Sequence, residues 1–205
     1  MKKKYNFFIF DLDGVIFDSK KNMSLSWEAT KNKFGLKATF KSYFQNIGKP
    51  FDDIMKCINV QPSKDISNCY KKNSLKHIKK IKIYPNVIKI LNILNKKKIK
   101  FSIVTSKDRE RTLFLLNKFK IHPYSVHCPK KNILGKPNPD MLISAIKRSK
   151  IKNIKTCYVG DTYTDYKAAK NAKIDFVYAS YGYEFRKIPK STININNFKD
   201  LKLYI

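Results

Sequence analysis

The hydrophobic pattern changes period along the chain. Residues 5–12 form a short aromatic-rich apolar run closed by Asp13-Gly14. It is too short for a helix and apolar on both faces, which predicts a central strand. From residue 19 to about residue 80 the spacing becomes helical. Leu25, Ala29 and Phe34 share one face of a first helix that Gly35 ends, and further short helices are predicted over 52–58 and 63–78, with no strand between them. After Tyr84-Pro85 helix and strand patterns alternate. Val87, Ile90, Leu91 and Leu94 recur at helical spacing; strands are predicted over 99–105, 124–128, 154–160 and 174–178, with helices over 108–118, 139–149 and 166–171 between them.

Such alternation predicts an α/β fold, a Rossmann-like parallel sheet covered on both faces with its ligand crevice at the carboxyl ends of the strands. The helical stretch is then an insertion. Residues 1–18 and 81–205 are expected to build the core, and residues 19–80 a small all-helical cap.

Composition narrows the reading. A chain of 205 residues, 42% of them hydrophobic, suffices for one substantial core with a modest insertion. No apolar run approaches the ~20 residues of a membrane helix, so no membrane partner is expected. The start, Met1-Lys2-Lys3-Lys4 before Phe7-Phe8-Ile9-Phe10, imitates a secretory signal, but Asp11 and Asp13 interrupt the apolar region and no small-residue cleavage site follows. The chain reads as cytoplasmic. Cys57, Cys69, Cys128 and Cys157 form no CxxC pair, which speaks against a zinc site or disulfide framework. The net charge of +29 draws anionic ligands in. Its lysines are scattered among abundant Asn and Ile, as compositional bias scatters them, and no nucleic-acid module is recognisable, so no specific nucleic-acid partner is expected.

Three predicted strands end in polar residues suited to phosphate chemistry: Asp11-x-Asp13-Gly14, Thr105-Ser106 and Gly160-Asp161-x-x-x-Asp165. In a parallel sheet these ends meet in one crevice. Asp11, Asp13, Asp161 and Asp165 would concentrate negative charge there, which a hard divalent cation with oxygen ligands, Mg²⁺, relieves. Asp11 and Asp13 lie two apart and turn toward the same side of the strand end. One can attack phosphorus while the other protonates the departing oxygen. Gly14 lets the backbone approach a phosphate and offers its amide; Thr105, with Ser106 beside it, offers a hydroxyl, and Lys136 a point charge.

The chain thereby resembles the haloacid dehalogenase superfamily, whose four motifs stand in order: Phe10-Asp11-Leu12-Asp13-Gly14-Val15-Ile16, Ile103-Val104-Thr105-Ser106, Gly135-Lys136-Pro137-Asn138-Pro139-Asp140, and Gly160-Asp161-Thr162-Tyr163-Thr164-Asp165. The resemblance implies that Asp11 is nucleophile and metal ligand, and that Asp13 is the acid/base with its backbone carbonyl on Mg²⁺. It further implies that Thr105 and Lys136 bind phosphate, that Asp161 ligates the metal directly, and that Asp165 is a ligand or the partner of one. The helical insertion looks like the family's small cap. Gly48-Lys49-Pro50 is the loop expected to dip into the site, with Lys49 and Lys107 as candidates for a second anionic group.

Within the superfamily, the Gly-Lys-Pro-x-Pro-Asp string and Tyr181-Gly182-Tyr183 resemble phosphoglycolate phosphatase-like members. The implied partner is a small phosphorylated metabolite; phosphoglycolate, a sugar phosphate, a nucleotide monophosphate and pyrophosphate all fit the core residues. Rival readings are a phosphosugar mutase, disfavoured because no histidine follows Ser19 shortly, and a basic nucleic-acid-binding protein. A dehalogenase is disfavoured by Asp13, which that branch lacks.

Overall fold

A computed structural model describes residues 2–130, 132–183, 188–189 and 192–205. Six strands form one parallel sheet. They are β1 (Phe7–Phe10), β4 (Lys100–Val104), β5 (Ser125–His127), β6 (Thr156–Gly160), β7 (Asp175–Ala179) and β8 (Ile193–Ile195), in the spatial order β5-β4-β1-β6-β7-β8. A separate antiparallel pair joins β2 (Phe17–Asp18) to β3 (Lys82–Ile83).

β1 is apolar on both faces because both faces are covered. Phe8 and Phe10 pack into the cluster on one side and Phe7 and Ile9 into that on the other, all four fully buried. Burial of each such side chain is worth roughly 1.5–3 kcal/mol. The first face is covered by α5 (Val87–Lys96), which sends in Val87, Ile90, Leu91 and Leu94, by α6 (Arg109–Lys118) through Leu115 and Leu116, and by a 3-10 segment over Phe198–Tyr204. The second is covered by α7 (Asp140–Ser149), through Met141, Leu142, Ala145 and Ile146, and by α8 (Tyr163–Asn171), through Ala168 and Ala169. The α/β reading of the sequence is therefore correct. The sequence pattern predicts no element beyond residue 178; β8 and the 3-10 segment are additions.

Between β2 and β3 the chain is helical: α1 (Lys20–Phe34), α2 (Phe40–Phe44), α3 (Phe51–Cys57) and α4 (Lys64–Lys76). α1 ends at Gly35 in the left-handed conformation, φ 61°. α2 was not anticipated: it is five residues long, and it starts where Thr39 Oγ1 accepts from the Ser42 N–H at 3.1 Å. These helices enclose a cluster of their own around Trp27, Tyr43, Ile54, Met55, Ile66 and Tyr70. Trp27 stacks on Tyr43 with ring centroids 4.8 Å apart and donates to the Ala38 carbonyl at 3.1 Å. Among the described residues no helix is long and apolar enough to cross a membrane.

Phe8 lies against Tyr5 and Phe10 with ring centroids 6.0 Å from each. Phe8→Ala is expected to cost roughly 3–5 kcal/mol, read from the shift of the urea unfolding midpoint.

Candidate active site

β1 is flanked by β4 on one side and β6 on the other, so the chain departs in opposite directions at its carboxyl end and opens a crevice there. Asp11 follows β1, Thr105 follows β4 and Asp161 follows β6. The sheet ladder runs on into the first two. The Asp11 N–H donates to the Val159 carbonyl at 2.9 Å, and the Thr105 N–H to the His127 carbonyl at 3.1 Å.

Carboxylate oxygens of Asp11, Asp161 and Asp165 lie within 4.8 Å of one another, all three buried. Lys136 Nζ stands among them, 2.8 Å from Asp11 Oδ1, 2.6 Å from Asp165 Oδ1 and 3.0 Å from the Tyr158 hydroxyl. Tyr158 in turn donates to Asp165 Oδ1 at 2.8 Å. Asp165 Oδ2 accepts from the Thr162 N–H at 3.0 Å and the Thr162 hydroxyl at 2.6 Å. All four acceptor positions of Asp165 are thus in use, and the same contacts form the capping box that starts α8. Asp161 differs. Its Oδ2 accepts from the Tyr183 N–H at 2.7 Å, but its Oδ1 is buried with no hydrogen-bond partner among the described residues.

Three ionised carboxylates against one ammonium leave two negative charges in a buried space. Burial, and then Asp165, push the Asp11 carboxyl up to about 7 even though Lys136 pulls it down. Burial together with Asp165 and Asp11 pushes Asp161 well above the usual carboxylate range. Burial works against the Lys136 ammonium, yet Asp11 and Asp165 outweigh it and hold the group protonated. A bare, buried carboxylate oxygen beside this uncompensated charge suits a hard divalent cation with oxygen ligands. Asp11 and Asp161 are the side chains with acceptor capacity left to hold one.

Asp13 stands apart from this cluster. One of its oxygens accepts from the Ser19 hydroxyl, and the other lies 3.0 Å from Lys107 Nζ. Gly14 has φ +88°, and a Cβ there would fall 2.0 Å from Asp161 Oδ2, so only glycine lets the loop pass this carboxylate. The expectation that the Gly14 amide faces a phosphate is corrected, because that N–H donates to the Phe17 carbonyl at 2.8 Å. The Ser106 hydroxyl donates to the Gly48 carbonyl at 2.6 Å. Gly135 leaves room for Pro50, whose Cγ would lie 2.2 Å from a Cβ at that position. The 48–50 loop therefore rests against the segments that follow β4 and β5 at the carboxyl end of the sheet. Lys49 reaches Asn46 Oδ1 and Cys57 Sγ, each at 3.0 Å.

A profile described as haloacid dehalogenase-like hydrolase matches residues 8–179. The chain belongs to this family. It is 27% identical over 180 residues to pyrophosphatase PpaX of Halalkalibacterium halodurans, covering 86% of this chain and 84% of that protein. It is 26% identical over 183 residues to phosphoglycolate phosphatase of Aquifex aeolicus, covering 85% and 84%. Its fold matches the crystal structure of a hydrolase from Pseudomonas syringae with a TM-score of 0.83 at 20% identity, over 99% of this chain and 97% of that one.

In this member of the haloacid dehalogenase-like family, a half-open cavity of about 60 Å³ lies between the strand ends and the helices that follow β2. Asp11, Asp13, Thr105, Ser106, Lys107, Lys136 and Lys49 all line it, whereas Asp161 and Asp165 do not, although their carboxylates lie close to that of Asp11. Tyr43, Tyr70 and Arg111 also line it, and sequence reasoning did not single them out. Ser19 and Tyr158, which hold Asp13 and Lys136, were missed as well.

Lys136→Met strands the buried Asp11 and Asp165 carboxylates without their counter-charge. It is expected to lose roughly 3–5 kcal/mol of stability, measured by urea unfolding at neutral pH without added divalent cation.

Proposed function

We propose that the protein is a Mg²⁺-dependent phosphatase that hydrolyses a small phosphomonoester through an aspartyl-phosphate on Asp11. The observation that carries this reading is the division between two carboxylates at one strand end. Asp11 sits in the charge cluster with Lys136, and Asp13 sits outside it, between a hydroxyl and an ammonium. Two acids two residues apart have been given different environments, which is what a nucleophile and a proton donor need.

Asp11 attacks phosphorus and the ester P–O bond breaks; Asp13 gives its proton to the departing oxygen. In the second step Asp13 takes a proton from water as that water attacks the phosphorus of the acyl phosphate, which frees Asp11 and inorganic phosphate. Lys136 offsets charge on the phosphoryl oxygens, and Thr105 supplies a hydroxyl. When bound by Asp11 and Asp161, Mg²⁺ would neutralise the carboxylate excess and stabilise charge developing on the transferred group. Asp165, with every acceptor position occupied, acts by fixing Lys136 and the start of α8. Residues 19–80 serve as the cap, whose 48–50 loop closes the cavity and excludes water. The names of the relatives, pyrophosphatase and phosphoglycolate phosphatase, support a small phosphorylated substrate. None of His77, His122 and His127 lines the cavity, which favours transfer to water over mutase chemistry.

Phosphate release from a panel of phosphoglycolate, pyrophosphate, sugar phosphates and nucleotides is expected to require Mg²⁺ and to stop on chelation. Asp11→Asn is expected to abolish it while remaining folded, and Asp13→Asn to slow it by about 10²–10⁴-fold. Undiminished release by Asp11→Asn contradicts the mechanism.

Binding can be read without turnover. At Mg²⁺ about 100-fold above its dissociation constant, stability rises by about 2.7 kcal/mol, or roughly 5–10 °C in Tm for a chain of this size. Asp161→Asn is expected to lose most of that rise in a thermal melt.

A further inference from the structure

The cavity has a second cationic wall, away from the carboxylate cluster. Arg111, in the first turn of α6, is only 7% exposed, and its guanidinium carbon lies 5.4 Å from the centroid of the Tyr70 ring. Tyr70 from α4 and Tyr43 from α2 face each other with ring centroids 5.5 Å apart, both nearly fully buried. All three line the cavity that holds Asp11 and Asp13. Arg111 and Tyr70 also line an adjoining space of about 230 Å³ that reaches Pro129 and Lys71.

A cation in the first turn of a helix is opposed by the helix dipole, and burying it adds a desolvation cost. Asp108 compensates in part, pairing with the guanidinium through Nε. A guanidinium carries five N–H groups, so a carboxylate at Nε and a bond to the Tyr70 hydroxyl still leave donors for a further anion. The other cavity cations divide clearly. Lys136 is taken up by Asp11 and Asp165, and Lys107 by Asp13. Arg111 is paired as well, with Asp108, but it keeps N–H donors beyond that pair on a cavity wall apart from Asp11. Lys49 adds uncompensated positive charge, having no carboxylate within ion-pair distance among the described residues.

We propose that Arg111, with the hydroxyls of Tyr43 and Tyr70, binds a second anionic group on the leaving group, so that the enzyme selects small phosphoesters or anhydrides bearing a carboxylate or second phosphate. This rests on the phosphatase reading and names its substrate class. It also moves the selecting role from Lys107, which is committed to Asp13, to Arg111.

The test compares kcat/KM for 2-phosphoglycolate and for pyrophosphate with that for ethyl phosphate, whose leaving group is uncharged. Arg111→Gln is expected to lower the doubly anionic to ethyl phosphate ratio by roughly 10–100-fold, the worth of one hydrogen bond to a charged group; Arg111→Lys is expected to restore part of it. The compound whose ratio collapses identifies carboxylate or phosphate as the second anion. An unchanged ratio, including an equal loss on all three compounds, overturns the proposal and leaves Arg111 as a brace for Asp108. If Arg111→Gln does not fold, Tyr70→Phe is expected to lower the same ratio several-fold, and an unchanged ratio there overturns the proposal too. Calorimetric binding of phosphonoacetate and methylenediphosphonate against methylphosphonate, with Mg²⁺, separates the two readings. Arg111-dependent preference without any hydrolysis keeps the subsite and sinks the phosphatase, whereas hydrolysis without preference does the reverse.

Discussion

Three carboxylates buried around a single ammonium set the terms for the rest of the molecule. Charges of one sign in a space of this size repel strongly because little water screens them, and every neighbouring feature limits that cost. Lys136 Nζ bridges two of the acids. Tyr158, on the strand beside β1, lends its hydroxyl to Lys136 and Asp165 together. Thr162 binds the far oxygen of Asp165, so starting α8 and anchoring the cluster are one event. Asp161 Oδ1 is left buried without a hydrogen-bond partner among the described residues, and that asymmetry sets the cluster apart from a closed salt-bridge network.

The sheet order makes the cluster attainable. Asp11 and Asp161 are 150 residues apart in the chain, but β1 and β6 are hydrogen-bonded neighbours in parallel register, so their ends arrive together. Lys136 comes from the loop between β5 and α7 and reaches Asp11 from the other side. Glycine at position 14 keeps the turn after β1 from colliding with Asp161. The apolar side chains of β1, with Phe7 and Ile9 packed on one face and Phe8 and Phe10 on the other, anchor the strand that leads into that turn.

Much of this was legible in the residues. The alternation of helix and strand follows from hydrophobic period, and the four motifs place Asp11, Asp13, Thr105 and Asp161 at strand ends, Lys136 in the loop before α7 and Asp165 in the first turn of α8. What the sequence concealed depends on packing between distant elements. Arg111 sits in a string of charges, Lys107-Asp108-Arg109-Glu110-Arg111, that reads as a solvated helix start; only the approach of Tyr70 from α4 makes it a buried wall. Ser19 and Tyr158 look like an ordinary cap and an ordinary core residue until their partners are known. The Gly14 amide was misjudged because the bond to Phe17 belongs to a tight turn that no periodicity signals. Helix α2 is too short for a pattern to emerge.

The two-residue ladder between β2 and β3 carries a mechanical consequence. Phe17 pairs with Ile83 and Asp18 with Lys82, so the chain enters and leaves the helical layer through strands clipped side by side. Both covalent connections of the helical layer thus run through one narrow strap, and at the strand ends Pro50 packing over Gly135 and the Ser106 hydroxyl bonded to the Gly48 carbonyl give that layer a second point of attachment.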